Sequence, residues 1–413
     1  MRILYVCHRF PYPPKRGGMI RPFNMVRHLS QSGHEVVLCS MTRSEELTRE
    51  AQGIAPYCAE FHLEQVDNRV QALRMVATLP TPITASSSFF HSPRLARRIR
   101  HVLATQKIDL VFVHCSSVAH YVSHVTGIPK ILDFGDMDSQ KWLEYAHHKP
   151  FPLSLGYRWE GIRVLADERR LARRFDFCTT ITRAEHESLL GLGIDTPSDW
   201  FPNGVDSSFF APPDGIEYDR DTIVFVGRMD YFPNQQCMFD FCRDVFPRLR
   251  AQRPSIKLQI VGADPSPAVL RLRAIDGVTV TGSVPDVRPY VSRAALTVAP
   301  LRIARGTQNK ILEAMAMGVP VVTSRVAAGG VDAEPGQHLL VADTPAELSA
   351  AILRLLDDRA ERTRLAQAGR ERVLSHHAWP RSMQRLDQII ERCIGDFARR
   401  SGAAGASALR PLS

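Results

Sequence analysis

Along the chain, short apolar runs alternate with longer stretches of helical spacing, and the alternation occurs twice. Ile3-Leu4-Tyr5-Val6-Cys7 is a continuous apolar run, as expected of a strand covered on both faces. Met19–Gln31 follows with helical spacing, and Glu35–Met41 is a second apolar run. That order predicts a parallel sheet. The pattern predicts further strands at 108–114, 130–133 and 175–182, and helices at 66–79, 93–106, 156–174 and 183–192. It resumes after residue 207 with strands at 221–227, 257–262, 278–282, 296–300 and 338–341. Helices are expected at 345–356, at 359–376 and from Trp379 to Phe397. Residues 45–107 are otherwise hard to read. Two α/β domains are expected from 413 residues. The boundary falls at Trp200–Asp206 (WFPNGVD), where the turn dipeptide Asn203-Gly204 marks a break in composition. The expected domains are 1–205 and 206–380, then a final helix over 381–398. The small, polar tail 399–413 is expected to be disordered.

The richest stretch is Arg305–Val322, RGTQNKILEAMAMGVPVV. Arg305-Gly306-Thr307-Gln308 reads as a polar loop and Asn309–Met317 as a helix. Gly318 can end that helix at positive φ, and Val319, Val321 and Val322 form a short strand. A helix start offers unpaired N–H groups and the positive end of a dipole, which suits a phosphate. Gly306 allows close approach to the backbone. Lys310, Glu313 and Met317 share roughly one face. A cation and a carboxylate one turn apart suit the diphosphate and ribose of a nucleotide. An ordinary exposed ion pair has the same spacing.

The first strand-to-helix loop, His8–Gly18 (HRFPYPPKRGG), is long and proline-rich. It lacks G-x-G-x-x-G, which counts against a nicotinamide dehydrogenase. Its paired Gly17 and Gly18 also read as a plain turn. Asp136-x-Asp138 mimics a metal-binding carboxylate pair, but a helix cap at Asp138 explains it better. Arg94, Arg97, Arg98, Arg100 and His101 form a basic helical face, either a solvated surface or one suited to anionic lipid headgroups.

The run LEAMAMGVPVV resembles the segment closing the nucleotide-sugar site of retaining glycosyltransferases of family 4, which have the GT-B fold. The resemblance implies two facing Rossmann-like domains, the second holding a nucleotide diphosphate sugar and the first its acceptor, with the last helix crossing back to the first domain. It assigns the ribose hydroxyls to Glu313, the donor diphosphate to Arg228, and the donor phosphates and acceptor to Gly17 and Gly18. His114, ending a strand, faces the donor sugar, with His120 as second choice. The region of Val284 reads the nucleobase through its backbone. Arg305, Gly306, Thr307, Gln308 and Lys310 complete the donor loop. On this resemblance, catalysis is expected to rest on His114, Arg228 and Lys310. Two positions depart from the family: Arg305 stands where a glutamate contacts the donor sugar, and Asn234 where a lysine is usual. Arg305 is a candidate substitute for that lysine. The RGxQNK loop resembles a subgroup associated with exopolysaccharide and PEP-CTERM systems. This implies transfer to a saccharide or lipid-linked acceptor, with no metal or other cofactor.

The net charge of +9 favours anionic partners, and no nucleic-acid motif appears. The eight cysteines form no CxxC pair and no Cys/His cluster, so neither a zinc site nor a disulfide framework is indicated, which suits the cytoplasm, including the inner face of the membrane. Met1 leads directly into a strand, so no signal peptide is expected, and no apolar run is long enough to span a bilayer. A donor-binding, non-catalytic partner of a synthesis complex and a nucleotide-sugar epimerase or hydrolase remain alternatives.

Overall fold

The structure, a computed structural model, describes residues 1–14, 17–213, 215 and 217–408. It divides into two compact units, Met1–Phe201 with Met383–Ser413, and Pro202–Ser382.

The first unit holds seven parallel strands: β1 (Arg2–Cys7), β2 (Glu35–Thr42), β3 (Glu60–Gln65), β4 (Leu110–His114), β5 (Lys130–Gly135), β6 (Phe177–Thr180) and β7 (Ser198–Trp200). Their order is β3-β2-β1-β4-β5-β6-β7. Every residue of β4 and β5 is buried, which explains their unbroken apolar runs. β3 and β7 were not legible in the sequence. They are the two edge strands, and no residue of either is fully buried, so no apolar pattern marks them.

The second unit holds β8 (Asp219–Val226), β9 (Lys257–Val261), β10 (Val278–Gly282), β11 (Ala294–Ala299), β12 (Val321–Thr323) and β13 (Leu340–Val341), all parallel, in the order β10-β9-β8-β11-β12-β13. The Asn309–Ala316 helix buries Ile311, Leu312 and Met315 against this sheet's core. Gly318 ends it at φ 67°, with its N–H on Met315 O and that of Val319 on Ala314 O.

Three expectations are corrected. Asn203-Gly204 is not a turn: the segment is extended, Val205 N donates to His377 O, and a Cβ on Gly204 would lie 2.6 Å from Trp379 N. The glycine there serves close packing of two chain passages. The last helix, Trp379–Ala408, runs through part of the tail expected to be disordered. Its alanines are the best helix formers. Residues 409–413 lie outside the described residues. Asp138 is the first residue of the Asp138–His147 helix, not its cap; the Ser139 N–H donates instead to Glu168 Oε1, at 3.1 Å. Among the described residues no helix is long and apolar enough to cross a membrane. All eight cysteines are unbridged, seven of them buried.

Candidate functional site

In open parallel sheets, ligands bind beyond the carboxyl ends of the strands where the strand order reverses. In the second unit that point lies between β8 and β11. β8 continues into Gly227 and Arg228, and β11 leads through the 300–308 loop to the Asn309–Ala316 helix. Lys310 therefore starts its helix beside the end of β8.

Lys310 Nζ donates to Asn234 Oδ1 at 2.6 Å, and Asn234 Nδ2 donates to Arg228 O at 2.8 Å. The ammonium lies 4.6 Å from the centroid of the Phe225 ring. A Cβ on Gly227 would stand 2.7 Å from Asn234 Nδ2 and 3.2 Å from Lys310 Nζ, so glycine leaves the room this bond needs. Asn234 is thus the anchor of Lys310.

Glu313 lies one turn on, and both side chains are half-buried. Burial pushes the Glu313 carboxyl up to about 7, with Lys310 opposing. Burial brings the Lys310 ammonium down to about 8, opposed by Cys237 and Glu313.

The loop before the helix is tightly set. Gly306 adopts φ 60°, and a Cβ on Gly330 would fall 2.1 Å from Gly306 O. Gln308 Nε2 donates to Arg305 O at 3.0 Å rather than capping the helix. The first-turn N–H groups therefore carry no side-chain cap. Thr307 Oγ1 and Asn309 Oδ1 are buried without a hydrogen-bond partner among the described residues. Arg305 is half-buried in the same loop.

Arg228 is engaged more closely than the sequence suggested. Its guanidinium donates to Asp230 (3.0 Å from Nε) and to Asp264 Oδ2 (2.7 Å). Bonding to Asp230 raises its pKa further, so its positive charge is largely matched by neighbours. Val284 follows edge strand β10, at the same carboxyl side of the sheet, and packs on the apolar core.

In the first unit the order reverses between β1 and β4. His114 ends β4, buried, with Nδ1 2.7 Å from Asp133 Oδ2. Asp133, fully buried, also accepts from Arg21 Nε and Nη2 (both 3.0 Å) and from Thr179 Oγ1 (2.8 Å). Burial alone would raise its pKa; Arg21 and His114 outweigh burial and hold it well below the carboxylate range. An ionised Asp133 accepts, so His114 Nδ1–H donates, and Nε2 is left for other chemistry. The His8 ring lies 5.7 Å from that of His114 and is kept neutral by burial. Gly17 and Gly18 open the Gly17–Gln31 helix, both exposed. His120 is elsewhere: its Nε2 meets His91 Nδ1 at 3.1 Å and its Nδ1 meets Ser117 O.

The structure thus brings Arg228, Arg305, Gly306, Thr307, Gln308, Lys310 and Glu313 to the carboxyl end of one sheet, around β8 and β11. It gathers His114 with Gly17 and Gly18 at the switch point of the other unit. Arg21 and Asp133, which orient His114, are site residues that the motifs do not reveal. A lone aspartate closing an apolar strand run (KILDFG) was the available signal for Asp133. Nothing in the sequence marks Arg21, which is 112 residues away from it.

Comparisons with known proteins match the chain in two stretches. Residues 17–204 match the family model described as "Glycosyl transferase 4-like domain", and residues 220–358 match "Glycosyl transferases group 1". The MMP alpha-(1->4)-mannosyltransferase of Mycolicibacterium hassiacum is 25% identical over 398 residues, covering 90% of this chain and 95% of its own. Among solved structures, sucrose-phosphate synthase from Thermosynechococcus elongatus aligns with a TM-score of 0.71 at 17% identity, covering 96% of this chain and all of its own. HepE of Anabaena, solved in complex with UDP, aligns at 0.67 and 14%, covering 95% and 100%. At these identities the structural likeness is one of fold.

Proposed function

Since the chain is a glycosyltransferase of the GT-B fold, we propose that it transfers a sugar from a nucleoside diphosphate sugar to a hydroxyl of a saccharide or lipid-linked acceptor, in exopolysaccharide synthesis. The observation that carries this reading is Lys310 bonded to Asn234 at the uncapped start of the Asn309–Ala316 helix, with Glu313 one turn deeper. The diphosphate lies against the first-turn N–H groups and Lys310, and Glu313 accepts from the ribose hydroxyls. Val284 lies by the base, and Gly17 and Gly18 by the phosphates and acceptor.

The difficult step is departure of the diphosphate with its negative charge. Fixed N–H groups and a half-buried ammonium stabilise that charge without reorganising; losing one such donor costs roughly 3 kcal/mol, on the order of 100-fold in rate. Arg228, matched by two carboxylates, contributes less. His114, oriented by Asp133, contacts the donor sugar. The new bond forms on the face the diphosphate leaves, which retains configuration, and a diphosphate oxygen accepts the proton of the incoming hydroxyl. No metal enters this scheme: transfer persists in EDTA, and loss of activity restored by Mg²⁺ would contradict it.

The test is a screen of nucleotide-sugars by thermal shift, then radiolabel transfer to oligosaccharide and polyprenyl-linked acceptors with the donors that bind. A ligand specific to the folded state raises its melting temperature. One or more donors are expected to stabilise the chain and to be consumed only with acceptor present. Consumption without acceptor points to a hydrolase or epimerase, and binding without turnover on any acceptor to a non-catalytic partner.

A further inference from the structure

The Asn68–Ala77 helix is built inside out. Its one buried residue is Gln71, whose amide donates to His91 O at 3.1 Å. Arg74 also turns inward, to Gln71 Oε1 and His91 O. The outward face, at i, i+3 and i+6, is Val70, Leu73 and Val76, with Leu73 72% exposed. Helices of water-soluble units normally do the reverse.

A second such face lies beside it. The Leu153–Ala172 helix exposes Leu155, Trp159 and Ile162, and Phe151 just before it is 80% exposed. Arg163 ties the two together: its guanidinium lies 4.1 Å from the Trp159 ring centroid and donates to the carbonyls of Thr81 and Ile83. Ile83 is itself half exposed. Glu160 secures the same junction by accepting from Ala85 N at 2.6 Å. Two exposed apolar faces of the first unit are thus joined through the 81–83 segment.

The exposed charge here is mainly positive: Arg69 and Arg158 are exposed and Lys149 is half-buried, while Arg74 turns inward, Glu160 is buried, Glu144 is half-buried and Asp67 caps the Asn68–Ala77 helix. Aromatic groups with polar edges border it: Tyr157 packs on Trp142 at 5.3 Å and near Tyr145 at 6.3 Å. Large contiguous apolar patches mark interaction sites. Apolar residues among cations, with Trp and Tyr at the rim, are the composition that settles into an anionic lipid surface. A second copy of the chain is a poor occupant, because a two-fold contact would set cations against cations.

We propose that this face docks the first unit onto an anionic membrane surface. The proposal is independent of the sugar-transfer reading, because docking is measured without donor. The basic Pro93–Thr105 helix is a different kind of surface: its Leu95, Ile99 and Val102 are buried, so it has no apolar residues to insert.

The experiment is sedimentation of the full chain with vesicles of phosphatidylcholine alone or with one third phosphatidylglycerol. Wild type is expected to pellet with the anionic vesicles at least tenfold more strongly. The triple variant Leu73→Ser, Phe151→Ser, Trp159→Ser should lose that binding at least tenfold with its melting temperature unchanged. Arg94→Ala with Arg97→Ala and Arg98→Ala should stay within twofold of wild type. Should the triple variant fail to fold, Arg69→Glu with Arg158→Glu, both at exposed positions, replaces it and should lose binding equally. Wild type remaining in the supernatant, or variants that pellet like wild type, would overturn the proposal. So would a dimer, seen by light scattering, that the triple variant abolishes, since the face would then join copies of the chain.

Discussion

Lys310 and Glu313 set a narrow working range. Burial pushes Glu313 up to about 7 and brings Lys310 down to about 8, and the two groups titrate as a coupled pair. The pair is doubly charged most fully between those values, so kcat/KM is expected to be bell-shaped with a maximum between about pH 7 and 8. Lys310→Arg keeps the cation at all accessible pH and should remove the alkaline fall. An alkaline limb unchanged in that variant would detach Lys310 from the profile. Lys310→Ala should cut kcat about 100-fold, and Arg228→Ala clearly less, because its charge is already met by Asp230 and Asp264. Steady-state kinetics on both variants ranks them. Glu168 gives a stability prediction. Burial pushes this carboxyl up to about 8, opposed by its bonds from Ser139. The folded state thus holds a proton that the unfolded state releases, and stability falls as pH rises from the ordinary carboxylate range through 8. Glu168→Gln keeps an acceptor for the Ser139 N–H and should flatten that fall. A calorimetric melting profile as steep as wild type would refute it.

Among the elements, the Arg305–Val322 unit was the most legible. Its loop, helix, glycine stop and strand each follow from local chemistry: an apolar stripe at 311, 312 and 315, a residue able to take positive φ at 318, and β-branched residues after it. What holds the loop in place was not legible. The contact is between the Gly306 carbonyl and Gly330, 24 residues later, and no local pattern announces a close approach of two backbones. Gly330→Ala should displace the loop: donor affinity is expected to fall about tenfold or more, with a lower melting temperature. Wild-type affinity by calorimetry would show that the loop can give way. The bond between Lys310 and Asn234 was hidden for the same reason. In the sequence Asn234 is only a missing cation; in the fold it anchors Lys310.

For the whole molecule, two parallel sheets could be read because their central strands are buried on both faces and so appear as unbroken apolar runs. The edge strands β3 and β7 could not, being half-covered. The exposed apolar face escaped notice because Val66–Leu79 shows ordinary helical spacing, and spacing alone does not say which side turns inward. Side-chain partners decide that: Gln71 and Arg74 find theirs at His91. Site chemistry was legible in the second unit, where it is concentrated in one segment. It was obscure in the first, where Arg21, His114 and Asp133 come from three separate places in the chain.

The central claim is that the donor's diphosphate lies at the start of the Asn309–Ala316 helix. A crystal structure with an intact nucleotide-sugar tests it most directly. It is expected to show pyrophosphate oxygens within hydrogen-bond distance of Lys310 Nζ and the first-turn N–H groups, and ribose hydroxyls on Glu313. A pyrophosphate bound elsewhere, with Lys310 still on Asn234 alone, would contradict the account.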